Sequence, residues 1–369
     1  MRIMHLVNHC IRGHGNAHVA VELACQQAKN GDDVLYLSEG GSLEPLLTEA
    51  GVGHRYLVQK TKNPLQAAAS LSKLIATIVA FKADVVHAHM MSGAVLGYAA
   101  TRMTLKPLMT TIHNSFDSHS RLMKLGDLAV AVSGAEREAL LQRGFDPRRT
   151  VSIVNGPLGG ARLNRFRDDP PLKLARPSIS TVCGLHERKG VNDLINAFSL
   201  VAGRFPDAHL NIVGEGPDQS TLEQLCAKLN LSQRVTFHGS LDNPMSVLKA
   251  TDIFVLSSHR EPLGLANIEA RSAGCAVIGT DVDGIPEALD FGAAGILVPP
   301  RDPQSLADAM AELLGNPDRL ANRKAAASEN LTRFTIDHLY EQYRSAYASA
   351  ERQRRFGQRR MSASLRSNS

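Results

Sequence analysis

The stretch HREPLGLANIEA, residues 259 to 270, follows DIFVLSS (252–258) and precedes AGCAVIG (273–279). Both flanks are short, apolar and rich in β-branched residues, the composition of buried strands. Whatever lies between two such strands must leave the first, turn, and return along a helix. Gly264 reads as a loop residue, LANIEARSA (265–273) has helical spacing, and Gly274 stands where a helix ends at its C′ position. Glu261 then falls in the loop and Glu269 in the helix body, eight positions apart. A strand, loop, helix and strand in this order form the repeating unit of a parallel sheet.

The same alternation runs through the chain. RIMHLVNH (2–9), DDVLYLS (32–38), HRYLVQ (54–59), DVVHAHM (84–90), PLMTTIH (107–113), LAVAVS (128–133) and TVSIVNG (150–156) read as strands separated by helical segments. NRFRDDPPLKLARP (164–177) breaks the pattern with charge and three prolines. SISTVCGL (178–185), AHLNIVGEG (208–216), RVTFHGS (234–240), DIFVLSS and CAVIGT (275–280) then resume it. The expected architecture is α/β, with two doubly wound, Rossmann-like domains over residues 1–165 and 166–333. A helix at 334–350 can pack on either domain, and crossing to the N-terminal one is an open alternative. Residues 351–369 are too poor in apolar side chains to bury a core and read as a disordered basic tail.

Composition limits the function. A chain of 369 residues, 43% hydrophobic and 21% charged, has mass for two cores of roughly 150 residues each. MRIMHLVNHC has neither the apolar core nor the cleavage site of a signal peptide, and no run approaches ~18 consecutive apolar residues, so a cytoplasmic address is expected. The five cysteines form no C-x-x-C and suggest reduced thiols. Formal net charge is +5, and ERQRRFGQRRMSASLRSNS (351–369) alone carries six arginines against one glutamate. The remainder is nearly neutral and offers no nucleic-acid groove.

In open parallel sheets, ligands bind beyond the carboxyl ends of the strands. The chemically informative loops fall there: HCIRGHGNAH (9–18), HNSFD (113–117), GLHERKG (184–190), GEGPD (214–218) and the opening stretch. Gly13 and Gly15, and again Gly214 and Gly216, precede helices and either bring backbone amides within reach of an anion or only permit tight turns. Neither pair completes G-x-G-x-x-G, which argues against a nicotinamide dehydrogenase. Arg188 and Lys189 stand before the helical run GVNDLINAF, where side-chain charge and a helix N-terminus act together on a phosphate. His87 and His89 alternate on one strand face without a third ligand nearby in sequence. Asp281 and Asp283 form a D-x-D that reads as turn chemistry rather than a cation site. His113 stands at a strand end, as a site residue or a capped terminus.

Taken together these loops resemble the large retaining glycosyltransferase family with the GT-B fold and the E-x7-E motif, the glycosyl transferases group 1, which includes bacterial lipopolysaccharide, capsule and phosphoinositol mannosyltransferases. The resemblance covers roughly residues 1–345. It is carried by SSHREPLGLANIEARSAGCAVIGTDVDGIPEAL (257–289), GVNDLINAF, VTFHG and GILVPPRDPQSLADAM (295–310), with weaker support from DVVHAH, TTIH, AVSGAERE and VNG.

The resemblance implies a nucleotide-sugar donor in the C-terminal domain and an acceptor in the N-terminal one. Glu269 looks like the carboxylate that accepts ribose hydroxyls, and Glu261 like the one that engages hydroxyls of the donor sugar. Gly264 and Leu265 would aim backbone N–H groups at the diphosphate between them. Lys189 and Arg188 would neutralise the departing phosphate, which removes the need for a metal. His113 resembles the histidine facing the donor sugar, and the Gly13 to Gly15 segment one that closes over the ligands.

Departures accompany the match. VCGLHERKG places Gly184 where the family has arginine, and EPLGL places Pro262 and Leu263 where it has glycine and phenylalanine. The implied activity is hexosyl transfer from a UDP- or GDP-sugar to a glycan or lipid-linked acceptor in cell-surface polysaccharide synthesis, without a cofactor. An epimerase of the same fold, or a non-catalytic paralogue binding sugar nucleotide or glycan, is the alternative. The basic tail is either solvated chain or a peripheral contact with anionic membrane at its inner face.

Overall fold

The computed structural model of the chain describes residues 1–367. The chain divides into two compact units, the first formed by Met1–Arg162 with the segment from Thr335 onward, the second by Leu163–Phe334.

The first unit contains seven strands: β1 (Arg2–Leu6), β2 (Asp33–Ser38), β3 (Gly53–Tyr56), β4 (Val85–Ala88), β5 (Leu108–Ile112), β6 (Leu128–Ala131) and β7 (Thr150–Ser152). They form one parallel sheet in the order β3-β2-β1-β4-β5-β6-β7. Every residue of β4 and β5 is buried, as expected for strands covered on both faces. Met4, Leu37, Val86 and Ile112 pack beneath the helix Pro64–Phe81, while Val7, Val21, Tyr36 and Leu47 pack on the opposite side.

The second unit contains β8 (Ser178–Val182), β9 (His209–Val213), β10 (Val235–Gly239), β11 (Ile253–Leu256), β12 (Ala276–Thr280) and β13 (Ile296–Val298), ordered β10-β9-β8-β11-β12-β13 and all parallel. Ile179, Leu194, Phe198, Leu210 and Ile253 fill one side, and Phe254, Leu256, Val277 and Ile285 the other. All twelve strands read from the sequence are present. The thirteenth, β13, is three residues long and runs into Pro299, too short for periodicity to register.

Both sheets reverse their winding at one place, between β1 and β4 in the first and between β8 and β11 in the second. Loops leaving these strands diverge to opposite faces and open a crevice at the carboxyl edge. The Lys189 loop follows β8 and the Glu261 loop follows β11, and the three histidines His5, His87 and His89 lie on β1 and at the end of β4.

The boundaries differ slightly from the sequence reading. The chain leaves the first unit after Arg162 and returns at Thr335. The charged linker is held by the second unit, with Leu172 N donating to Ser246 O at 2.8 Å and Lys249 Nζ to Arg167 O at 2.7 Å. The returning helix Ile336–Ser367 belongs to the first unit, where Ile336, Leu339, Tyr343 and Tyr347 pack with Ile3, Leu23, Met109 and Val130.

The helix runs on through the basic segment to Ser367. Packing over 336–350 supplies the costly helix nucleus, and arginine, glutamine, alanine, leucine and methionine then propagate it at little cost. Gln353 and Arg354 reach the carbonyls of Arg148 and Thr101 at 3.4 and 3.5 Å. The last two residues of that sequence segment lie outside the described residues.

The helix Pro64–Phe81 is long and apolar enough to cross a membrane, with a mean hydropathy of 1.4 despite its lysine. Its buried face is Ser70, Leu74, Thr77 and Ile78, with Leu74 and Ile78 in the first unit's core, while Leu65 and Val79 are exposed.

Candidate active site

In the second unit the opening stretch folds as the sequence predicts. Gly264 caps the helix Leu265–Ser272 with φ of 84°, and Gly274 follows the helix with φ of 86°. A side chain at Gly264 would press on Asn267 Nδ2 at 2.9 Å and Leu256 Cδ2 at 3.1 Å, so the loop is drawn tightly against the sheet. The N–H groups of Leu265 and Ala266 have no acceptor among the described residues, which leaves the positive end of the helix dipole available to an anion. Glu269 is buried one turn further along.

The two loops at the winding reversal are joined by charge. Lys189 Nζ donates to Glu261 Oε2 in an ion pair whose side chains are only 15% and 12% exposed. Ser258 Oγ approaches the same carboxylate oxygen at 3.5 Å. Arg188 donates through Nη1 to Arg260 O at 2.9 Å, and His259 N returns a bond to Arg188 O at 2.8 Å. Arg188 therefore helps to lace one loop to the other. Beneath them, His259 Nε2 and Asp193 Oδ2 are 2.6 Å apart.

Asp283 accepts from Arg260 Nε at 2.9 Å and from Glu261 N at 2.9 Å, which fixes the backbone of the Glu261 loop. This is the turn role expected for the D-x-D. Gly284 closes the arrangement by donating to Glu261 O at 3.0 Å.

Gly214 and Gly216 acquire a packing reason. A Cβ at Gly214 would lie 1.9 Å from Cys183 O, and one at Gly216 2.1 Å from Leu185 O. The Gly214 amide already donates to Gly239 O at 2.8 Å. These glycines let the loops after β8 and β9 touch, with Leu185 N bonded to Glu215 O at 2.9 Å. Gly13 and Gly15 differ. Both are exposed, with open space around the position of a Cβ, and Gly15 begins the helix Gly15–Lys29 without a side-chain cap or an acidic first turn.

His113, half-buried just past β5, is the exposed end of a hydrogen-bonded histidine chain. Its Nε2 lies 3.1 Å from His89 Nδ1, and His89 Nε2 lies 2.9 Å from His5 Nδ1. His5 Nε2 meets Gln27 Oε1 at 2.7 Å, and Gln27 Nε2 donates to Tyr347 OH at 2.8 Å. His87 joins through Tyr347 OH at 3.0 Å and Thr111 Oγ1 at 2.7 Å. Burial lowers His5 and His113 to about 4 and holds His87 and His89 well below the usual imidazole range, so all four are neutral at pH 7.

The third ligand that sequence proximity did not supply to His87 and His89 is His5, paired directly with His87 in the sheet register. The ligand atoms of the three lie within 4.8 Å of one another. All six ring nitrogens, however, already have hydrogen-bond partners, so a metal would have to displace existing bonds.

The glycosyl transferases group 1 profile matches residues 164–330, and the glycosyltransferase family 4 profile matches residues 14–156. The chain is a glycosyltransferase of group 1. N-acetyl-alpha-D-glucosaminyl L-malate synthase of Bacillus anthracis is 26% identical to the transferase over 90% of this chain and 93% of its own. Glycogen synthase of Mycobacterium tuberculosis is 29% identical over 70% of this chain and 67% of its own. Among solved structures, Anabaena HepE in complex with UDP and glucose superposes with a TM-score of 0.80 at 22% identity, covering 95% of the transferase and all of HepE. That likeness gives the transferase the GT-B fold.

Proposed function

We propose that the transferase moves a hexosyl group, with retention of anomeric configuration, from a UDP- or GDP-sugar to a glycan or lipid-linked acceptor of cell-surface polysaccharide or lipopolysaccharide. The observation that carries this reading is the Lys189 and Glu261 ion pair set beside the open helix N-terminus at Leu265. A diphosphate at that N-terminus competes for the Lys189 ammonium and frees the Glu261 carboxylate to accept sugar hydroxyls. Glu269 accepts the ribose hydroxyls. As the glycosidic bond breaks, charge accumulates on the leaving phosphate, where Lys189, Arg188 and the helix amides stabilise it without a metal. His113 contacts the transferred sugar, and the Gly13 to Gly15 loop covers the ligands.

The UDP and glucose bound by Anabaena HepE support a uridine nucleotide, and the GDP-mannose-dependent mannosyltransferase of Mycobacterium tuberculosis, 31% identical over half of its length, keeps GDP in the comparison. The arginines beyond residue 350 support contact of the enzyme with an anionic membrane at its cytoplasmic face, where each basic residue contributes about 1 kcal/mol.

Thermal stabilisation by UDP, GDP and their sugars tests the donor reading. At 100 times its dissociation constant the true donor stabilises by about 2.7 kcal/mol. Equal melting temperatures across the panel overturn it. Turnover surviving EDTA supports the metal-free chemistry, and loss restored by manganese rejects it.

A further inference from the structure

The histidine chain of the first unit has a direction. A glutamine carbonyl oxygen can only accept, so the Gln27 Oε1 facing His5 Nε2 requires a proton on that nitrogen. His5 is neutral, which leaves its Nδ1 with a lone pair. His89 Nε2, 2.9 Å away, must donate to it. Neutral His89 then carries a lone pair on Nδ1, and His113 Nε2 must donate in turn. The His113 Nδ1, which forms no hydrogen bond among the described residues, is left as an acceptor. At the other end Gln27 Nε2 donates to Tyr347 OH, which pairs with His87 Nδ1, and His87 Nε2 pairs with Thr111 Oγ1.

Turning the Gln27 amide over would reverse the bonds from His5 to His113. A neutral chain has just these two self-consistent arrangements, and one amide selects between them.

We propose that Gln27, His5 and His89 are positioning residues that hold His113 as its neutral Nε2–H tautomer, so that Nδ1 presents a lone pair to a hydroxyl of the bound sugar. The ligand half of this statement rests on the proposed contact between His113 and the transferred sugar. The tautomer half rests on the first unit's own geometry. Desolvation, which lowers His113 to about 4, makes the imidazole an acceptor at neutral pH rather than a base that removes the hydroxyl proton. The geometry also shows how a polar chain is accommodated in a buried sheet: each ring nitrogen is satisfied only when its neighbour has the complementary tautomer.

The test is ring nitrogen NMR of the full-length chain labelled with 15N-histidine, with His113 assigned from His113→Ala. Wild type at pH 7 is expected to show His113 as a single Nε2–H tautomer. Gln27→Met, which removes the directing amide three hydrogen bonds away, and His89→Phe, which removes the intervening donor and acceptor, are each expected to give a mixture of tautomers. Circular dichroism and melting establish that each variant is folded, and Gln27→Met stands alone if His89→Phe is not.

An Nδ1–H or doubly protonated His113 in wild type overturns the proposal, as does an unchanged tautomer in folded Gln27→Met. With an identified donor, Gln27→Met should lower kcat roughly tenfold, the order of one lost hydrogen bond, with nucleotide affinity unchanged. A tautomer shift without any change in turnover upholds the directed chain and removes His113 from the sugar site, so the two readings fail separately.

Discussion

The two sheets reverse their winding at equivalent places and furnish those places in opposite ways. Between β8 and β11 the second unit sets a cation against an anion, Lys189 and Glu261, both partly open to water. Between β1 and β4 the first unit buries neutral imidazoles that share hydrogen bonds. An ion pair so placed can be rearranged by an incoming phosphate, because the ligand replaces one charge partner with another. A desolvated imidazole chain cannot accept net charge without a large cost, so it orients and does not neutralise. On the proposed function, charge compensation falls to the second unit and orientation to the first.

Lys189→Ala should break that division most severely. Turnover is expected to fall by 10²-fold or more, as loss of a preorganised charge-stabilising group does, and steady-state kinetics with the identified donor would show whether kcat carries the loss. A fall confined to KM would mean that Lys189 only binds.

The two glutamates sharpen the second unit's half. Glu269→Ala should weaken nucleotide affinity by roughly tenfold, in line with lost hydrogen bonds to a charged group. Glu261→Gln should leave nucleotide affinity near wild type and reduce turnover. Calorimetric titration with nucleoside diphosphate separates them, and equal affinities for Glu269→Ala and wild type would defeat the ribose assignment.

Acid probes the first unit's half. His5 titrates near 6.5 in the unfolded chain and about 4 when folded, so the unfolded state takes up the proton first as pH falls. Stability from its burial is whole above pH 6.5 and declines toward pH 4. Between pH 7 and pH 5 the loss is about 2 kcal/mol for this residue. Urea denaturation at the two pH values measures it, and the loss should shrink in a folded His5→Gln variant.

Glycine substitutions give the smallest contrast. Gly15→Ala meets open space and should shift stability within about 0.5 kcal/mol, yet it should lower kcat/KM if the loop covers ligands. Gly216→Ala runs into Leu185 O and should lower the melting temperature. A stable, fully active Gly15→Ala would remove that loop from the site.

The strands and the Glu261 loop were legible because hydrophobic runs, Gly264 and Gly274 are local signals. The Gly214 and Gly216 pair was less so, since a tight approach between two loops and an anion site ask for the same residue. Sequence missed Asp193 as a support of the Glu261 loop, and the bond from Glu261 N to Asp283, because each joins residues far apart in the chain. It also missed His5 beside His87, which only parallel pairing of β1 with β4 brings together. In the basic tail, composition speaks against a buried core and gives no signal for the backbone, and the helix anchored by Tyr343 and Tyr347 runs on through it.

Arg271 lies at the other end of the helix that carries Glu269, with its side chain wholly buried. Its guanidinium donates to Ala327 O at 2.9 Å, Asp290 Oδ2 at 2.8 Å and Glu329 O at 2.7 Å, and sits over the buried ring of Phe334. The second unit is thereby fastened by residues more than fifty positions downstream. Shortening the chain ahead of Phe334 would strand a buried cation and loosen Glu269 from behind. The smallest excisable fragment that keeps this unit whole therefore ends after Phe334, well past the last strand.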